Sequence, residues 1–305
     1  MTSPRNLLDV DDVTRDEIRY LLDRAAAFKS VEPARDLLAG VAVLNLFFEA
    51  STRTATSFTL AEQRVGADVI SFAPGASSLG KGETIEDTAI TLRAIGVRAI
   101  VVRHPQAGFA RRLAETFDGH VINAGDGAHA HPTQALLDLL TLRNEFGRFE
   151  GLSVAIVGDI LHSRVARSNI VGMRMLGIDV TLVGPPTLLP GAFAAEGIRI
   201  ERNLDAVLGS VDAVMMLRIQ RERIAASLLP ALDDYTRNYQ LNRERLRALR
   251  SNAVILHPGP YNRGVELTDE VLADPRSRYV AQVGNGVFVR MAVLDFLLNG
   301  AAVAA

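Results

Sequence analysis

Short apolar runs of strand length alternate with helix-length amphipathic patterns along the whole 305-residue chain, and this alternation limits the possible folds more than any other feature. Strand patterns fall at 41–47, 68–72, 98–103 and 120–123, and a second set at 153–157, 179–183, 213–217 and 253–256. Helical patterns lie between them. The first covers 14–28: Thr14 and Glu17 have capping-box spacing, and Ile18, Leu21, Leu22, Ala25 and Phe28 form one apolar stripe. Strand and helix in strict alternation predict parallel sheets with helices on both faces. Two such sets predict an α/β protein of two doubly wound domains, each around a central parallel sheet. A bridging helix (132–146) and a returning C-terminal helix (287–298, apolar at Val287, Met291, Leu294 and Leu298) would join them. The expected boundaries are 1–134 plus 286–305 for one domain, 150–285 for the other and 135–149 for the bridge.

Composition narrows the function classes. The chain has no Cys, which excludes disulfides, thiolate nucleophiles and Cys-based zinc sites. Lys and Arg total 33 against 35 Asp and Glu, a net charge of -2, so a basic surface for nucleic acid is not expected. With 48% hydrophobic and 22% charged residues, the chain reads as a folded soluble protein. No run approaches the ~18 unbroken apolar residues of a membrane span. The start, MTSPRNLLDVDD, turns acidic before any signal-length apolar core, so a cytoplasmic protein without membrane attachment is expected.

In doubly wound sheets, ligands sit beyond the carboxyl ends of the strands, so the residues just after each strand carry the functional information. The first strand pattern is followed by Glu49-Ala50-Ser51-Thr52-Arg53-Thr54 and then a helix with Phe58, Ala61 and Val65 on one face. Hydroxyls and a guanidinium at a helix start suit an anion, because the first N–H groups point outward unpaired and Arg offers a planar fork. The same residues would also serve as an ordinary Ser/Thr cap with a surface Arg. Arg103 ends an apolar strand run, where its charge needs either a carboxylate or a ligand. Beyond the fourth strand pattern, Pro132 fits a first helical position, with His131 before it and Gln134 on the same turn. His131 reads as a cap or as a ligand group. His129 and His131 as a metal pair lack any partner pattern.

In the second set, Gly158-Asp159-Ile160-Leu161-His162-Ser163-Arg164 lacks the three glycines of a dinucleotide fingerprint. Arg164 and Arg218 both lie just beyond strand ends and together would suit a substrate with two carboxylates. Arg221 and Arg223 read as a solvated charged loop. Between Pro74 and Glu83, three Gly and one Pro surround a single Lys81, a lid delivering a cation or a plain surface loop.

These pieces resemble the aspartate/ornithine carbamoyltransferase family, and within it the branch whose acceptor is aspartate. The matching stretches are FFEASTRTATSF, SSLGKGET, VVRHPQAG, NAGDGAHAHPTQALLDL, VGDILHSRVARS, LRIQRER, HPGPYNRGVE and QVGNGVFVRMAVL, in the family's order. The resemblance implies a carbamoyl phosphate turn at Ser51, Thr52, Arg53 and Thr54, with Arg103, His131 and Gln134 around the phosphate and carbonyl. It implies aspartate binding by Arg164, Arg218 and Gln220. Lys81 with Ser78 or Ser77 would be inserted into a neighbouring subunit's site, in a homotrimer with shared active sites. Gly259 and Pro260 would touch the carbamoyl amine through backbone carbonyls, across a candidate cis peptide. Regulatory or dihydroorotase-like partner chains are possible in this family. The resemblance implies no cofactor and no metal. One departure is clear: the family's turn reads Ser-Thr-Arg-Thr-Arg, and this chain has Ala55. The Lys81 loop also has one Lys where some relatives have two.

The implied reaction is direct acyl transfer between two anionic substrates, with Arg53, Arg103, Lys81, Arg164 and Arg218 cancelling their repulsion in one cleft. Thr54, Arg103 and His131 would donate to the carbonyl oxygen as it gains charge. No side chain reads as a nucleophile. A site rich in Arg would repel the second ammonium of an ornithine-type acceptor and pair with the two carboxylates of aspartate. Two other readings remain open: another acidic acceptor such as an N-acylated ornithine, or an inactive scaffold subunit.

Overall fold

The computed structural model describes residues 5–72, 83–219 and 232–300. The chain divides into two compact units, Met1–Leu140 with Gly284–Ala305, and Thr141–Val283.

The first unit contains α1 (Arg15–Ser30), β1 (Ala42–Phe47), α2 (Thr52–Arg64), β2 (Asp68–Phe72), α3 (Ile85–Ala94), β3 (Val97–His104), α4 (Phe109–Thr116), β4 (His120–Asp126) and the start of α5 (Pro132–Phe146). Its four strands are all parallel, in the order β2-β1-β3-β4. The capping box at Thr14 and Glu17 forms as expected, and all five residues of the stripe on α1 are buried. The central strands are apolar on both sides because helices cover both faces. Leu44, Leu46, Ile100, Val102 and Val121 pack with Ile85, Phe109 and Leu113.

The second unit contains β5 (Ser153–Val157), α6 (Arg164–Met175), β6 (Asp179–Val183), α7 (Ala192–Ala195), β7 (Arg199–Glu201), α8 (Asp205–Leu208), β8 (Ala213–Met216), α9 (Leu232–Tyr239), α10 (Arg243–Ala248), β9 (Val254–Leu256) and α11 (Asp269–Ala273). Its five parallel strands run β7-β6-β5-β8-β9. The chain leaves the first unit within α5 and returns within α12 (Tyr279–Leu298). The alternating pattern therefore gave the right class, two doubly wound parallel sheets.

Two elements differ from expectation. β7 has only three residues, two of them charged, and sits at a sheet edge where no apolar run is required. α12 begins two turns earlier than the pattern at 287–298, because Gly284 and Gly286 interrupt the apolar signal without breaking the helix. Gly286 has a packing reason: a Cβ there would lie 2.5 Å from Nη1 of Arg290. By length and composition α12 could cross a membrane, with hydropathy 1.3, but 67% of that window is buried inside the protein.

Both sheets have a topological switch point. In the first, the chain goes outward from β1 to β2 and then crosses to β3 on the other side of β1. In the second, it goes from β5 to β6 and β7 and then crosses to β8. A crevice opens at the carboxyl ends of the strands where the winding reverses. The crevices therefore lie beyond β1 and β3 in one unit and beyond β5 and β8 in the other.

Candidate active site

Among the described residues, those around Ser51, Arg103, Arg164 and Arg218 follow the strands that border these two crevices. In the first unit, Phe47 of β1 is in register with Arg103 of β3, and the Phe48 N–H donates to the Arg103 carbonyl at 2.8 Å. Three residues further, Ser51 is the N-cap position of α2, with φ -156 and ψ 89, yet its hydroxyl makes no capping hydrogen bond. The plain-cap reading of this turn is thus not what the chain adopts. Instead, the N-terminus of a thirteen-residue helix opens at the switch point, bordered by three hydroxyl residues and Arg53. Thr54 is buried, while Arg53 and Ala55 are half-buried.

Arg103 is only 8% exposed, and its guanidinium is held on two sides. Nη1 donates to the Ala124 carbonyl at 3.2 Å, and Nη2 to Glu49 Oε1 at 2.9 Å. The acceptors come from the carboxyl ends of β4 and β1, so the fork is fixed in plane across the crevice. Glu49 matches no catalytic or binding pattern in the sequence; its only signal there is its position two residues before the Ser51 turn.

His131 immediately precedes α5, and its carbonyl accepts from the N–H groups of Gln134 and Ala135. The imidazole is buried. Gln134 Nε2 donates to Asp138 Oδ1 at 2.9 Å, one turn along the same face. The loop carrying His131 is built around Asp126, which accepts from the Ala130 N–H at 3.0 Å, the Gly108 N–H at 2.7 Å and Asn123 Nδ2 at 2.9 Å. His129 also turns to Asp126, at 3.1 Å, and its other ring nitrogen lies 3.7 Å from Asp9. One carboxylate thereby joins the loops that follow β3 and β4.

Arg290 was not expected in this region. It is 3% exposed on α12, with its guanidinium 4.8 Å over the Phe58 ring of α2. Burial, and then the nearby positive charge of Arg103, push its pKa down to about 9, with Asp138 acting in the opposite sense. It remains a cation at neutral pH. The first unit thus buries a second cation, Arg290, close enough to Arg103 for the two charges to repel.

In the second unit, Asp159 follows β5, is fully buried, and accepts from the His162 N–H at 3.1 Å with the ring Nδ1 at 3.0 Å. This closes the turn that leads to Ser163, which caps α6 through the Ala166 N–H. Arg164 is the first helical residue and is 6% exposed. Across the switch point, the Leu217 N–H donates to the Val157 carbonyl at 2.8 Å, and Arg218 follows as a half-buried residue between buried Leu217 and Ile219. The next strand over, β9, is followed by His257-Pro258-Gly259-Pro260. The Gly259–Pro260 bond is cis, and Gly259 has φ 66, a conformation that favours glycine. The Gly259 N–H donates to His257 Nδ1, and the His257 N–H to Gln282 Oε1, both at 2.9 Å. Ser77, Ser78, Lys81, Gln220, Arg221 and Arg223 lie outside the described residues.

Each unit therefore carries a pair of guanidinium groups at its own switch point: Arg53 and Arg103 in one, Arg164 and Arg218 in the other. Residues 5–144 match the family model for the aspartate/ornithine carbamoyltransferase carbamoyl-P binding domain, and residues 150–297 match the Asp/Orn binding domain. The chain is 53% identical over 304 residues to the aspartate carbamoyltransferase catalytic subunit of Salinispora arenicola, covering 97% of this chain and 98% of that one. It is 52% identical to the corresponding subunit of Acidothermus cellulolyticus, over 97% and 93%. Among solved structures, it is similar to aspartate transcarbamoylase from Trypanosoma cruzi in complex with carbamoyl phosphate and aspartate, with TM-score 0.88 and 32% identity over 97% of each chain. It is also similar to ornithine carbamoyltransferase from Thermus thermophilus, with TM-score 0.87 and 30% identity over 97% and 100%.

Proposed function

Because the chain belongs to the aspartate/ornithine carbamoyltransferase family, we propose that it transfers the carbamoyl group of carbamoyl phosphate to the amine of L-aspartate, releasing N-carbamoyl-L-aspartate and phosphate, a step of pyrimidine synthesis. The observation that carries the acceptor is the pair Arg164 and Arg218 beyond β5 and β8. Two guanidinium groups match two carboxylates, and they would repel the second ammonium of an ornithine-type acceptor. The relatives at 53% and 52% identity, both aspartate carbamoyltransferase catalytic subunits, support the same acceptor.

In this reading the turn Ser51-Thr52-Arg53-Thr54 and the α2 N-terminus hold the phosphate of carbamoyl phosphate. Arg103, Thr54 and His131 donate to the carbonyl oxygen as the amine attacks and negative charge gathers there. A single preorganised donor of this kind lowers the barrier by about 2.7–4 kcal/mol. Gln134 and the carbonyls of Gly259 and Pro260 orient the carbamoyl amine. The C–O bond to phosphate then breaks, and the departing phosphate takes the proton from the attacking amine. No residue forms a covalent intermediate, so the rate comes from alignment and charge stabilisation. Arg290 adds to the field that favours the anion in the first unit.

The same reading makes the protein a cytoplasmic homotrimer in which Lys81 and Ser78 act in a neighbouring subunit's site, with Gln220 joining Arg164 and Arg218 on aspartate. The first unit leaves Leu60, Ile70, Ile90 and Ile95 exposed, at 36%, 37%, 59% and 72%, which supports association through that unit. The test is ureido-product formation with aspartate and ornithine in parallel, joined by an acidic acceptor panel. Turnover of aspartate supports the proposal, and turnover of ornithine alone or of another acceptor alone defeats it. Mixing inactive Lys81→Ala and Arg103→Ala chains should restore activity if sites are shared between subunits; mixtures that stay inactive would refute the sharing.

A further inference from the structure

A buried carboxylate in the second unit takes no part in the chemistry described above, yet its hydrogen bonds to other residues reach two segments that border it. Glu266 is fully buried. Its Oε1 accepts from the Ile219 N–H at 2.7 Å and from Asn262 Nδ2 at 2.7 Å, and its Oε2 from the Asn262 N–H at 2.7 Å. Asn262 completes the arrangement by donating Nδ2 to the Ile219 carbonyl at 3.2 Å. Both polar groups of the Ile219 backbone are thus held, one by Glu266 and one by Asn262. On the other side of Arg218, the Leu217 N–H is held by the Val157 carbonyl. Arg218 sits between two clamped peptides, at the point where the chain leaves β8. The same carboxylate grips Asn262, two residues after the Gly259–Pro260 bend, so one group sets both the Arg218 segment and the segment following that bend.

The carboxylate is specifically required. All its partners are donors, and an ionised carboxylate is acceptor-only on both oxygens. An amide at the same place would turn an NH2 group toward an N–H. Burial raises the pKa of Glu266, and the donors from Ile219 and Asn262 oppose that shift. A buried charge is tolerated only when donors satisfy it in this way.

We infer that Glu266 is a positioning residue for the acceptor substrate: it fixes the Ile219 and Asn262 backbone so that Arg218 is aimed at an acceptor carboxylate. The inference deepens the function proposed above and rests on it for the identity of the acceptor. It predicts a KM effect confined to one substrate. In Glu266→Gln, the KM for the acceptor should rise at least tenfold, while kcat stays within about threefold and the Kd for inorganic phosphate, which binds in the first unit, within twofold. Hydrogen exchange at the Ile219 amide should speed up at least tenfold. Asn262→Ala, which removes the Nδ2 donor but leaves the carboxylate in place, should raise the acceptor KM by a smaller factor and carries the test if Glu266→Gln does not fold.

A structural role alone would lower the thermal midpoint or the fraction of active protein without moving the acceptor KM, and that result overturns the inference. The acceptor used is whichever amine the wild-type protein turns over. Should that be something other than aspartate, the proposed function fails while the KM and Ile219 exchange still decide the role of Glu266. Should no amine be turned over, the Kd of succinate, an unreactive dicarboxylate, replaces KM, and an unchanged Kd overturns the inference.

Discussion

Replacing Glu62 by Gln should make this protein more stable above pH 7, and the size of the gain follows from the structure. Glu62 lies on α2, fully buried, with Oε2 accepting from Asn45 Nδ2 at 2.6 Å. Two acceptors of this pair, Glu62 Oε1 and Asn45 Oδ1, are buried without a hydrogen-bond partner. Burial raises the Glu62 pKa from 4.5 to about 7, with the Asn45 hydrogen bond opposing the shift. In the unfolded chain the group ionises near its ordinary value, so between these two pH values the folded state holds the extra proton. Stability is then greatest below pH 4.5, falls as pH rises, and by pH 7 to 8 has lost about 3 kcal/mol. A Gln side chain has the shape of the neutral acid and donates where the acid would, so it should remove the loss. With roughly 2.1 cal/mol/K of unfolding entropy per residue, 3 kcal/mol corresponds to about 5 °C if the whole chain unfolds together, and more if the first unit unfolds alone. The assay is the thermal midpoint of both proteins from pH 5 to 8.5, in buffers of matched ionic strength. Wild type and Glu62→Gln should converge at low pH and separate at high pH, with the variant above. Parallel curves, or a variant that is less stable at pH 8, would refute the reasoning.

Three further outcomes follow. Arg103→Lys, whose single ammonium cannot reach both the Ala124 carbonyl and Glu49 in the plane of the fork, should lower kcat about 10²–10³-fold with little change in thermal midpoint. Stopped or quenched assays at saturating carbamoyl phosphate read this. Ala55→Arg adds a cation in the first turn of α2, where position 55 is half-exposed. It should tighten phosphate binding severalfold at low salt, with the gain shrinking as salt screens it, at a stability cost of about 0.3–1 kcal/mol from the helix dipole; calorimetric titration across ionic strengths is the check. Asp126→Ala leaves the Gly108 and Ala130 N–H groups and Asn123 without their shared acceptor. It should cost about 3 kcal/mol or more in chemical denaturation and lower activity, because the loop before His131 loses its anchor.

Much of this was legible in the amino-acid order. The class of fold was written in the alternation of short apolar runs with amphipathic helices, because a strand covered on both faces must be apolar throughout. The stripe on α1 and the placing of Ser51, Arg53, Arg103, Arg164 and Arg218 just past strand ends came from the same local rule, since each depends on nearest neighbours in the chain. The order of strands did not. Whether a helix carries the chain outward or back across the first strand is settled by packing, and that choice alone put β1 beside β3 and β5 beside β8, creating the two crevices. Nor could the sequence show which polar residues would be buried. Glu62 stands between Ala61 and Val65 like any solvent-facing residue of an amphipathic helix, and Glu266 like any loop acid. Their burial, their partners and so their protonation and roles arise from segments far apart in the chain, which only the folded structure brings into contact.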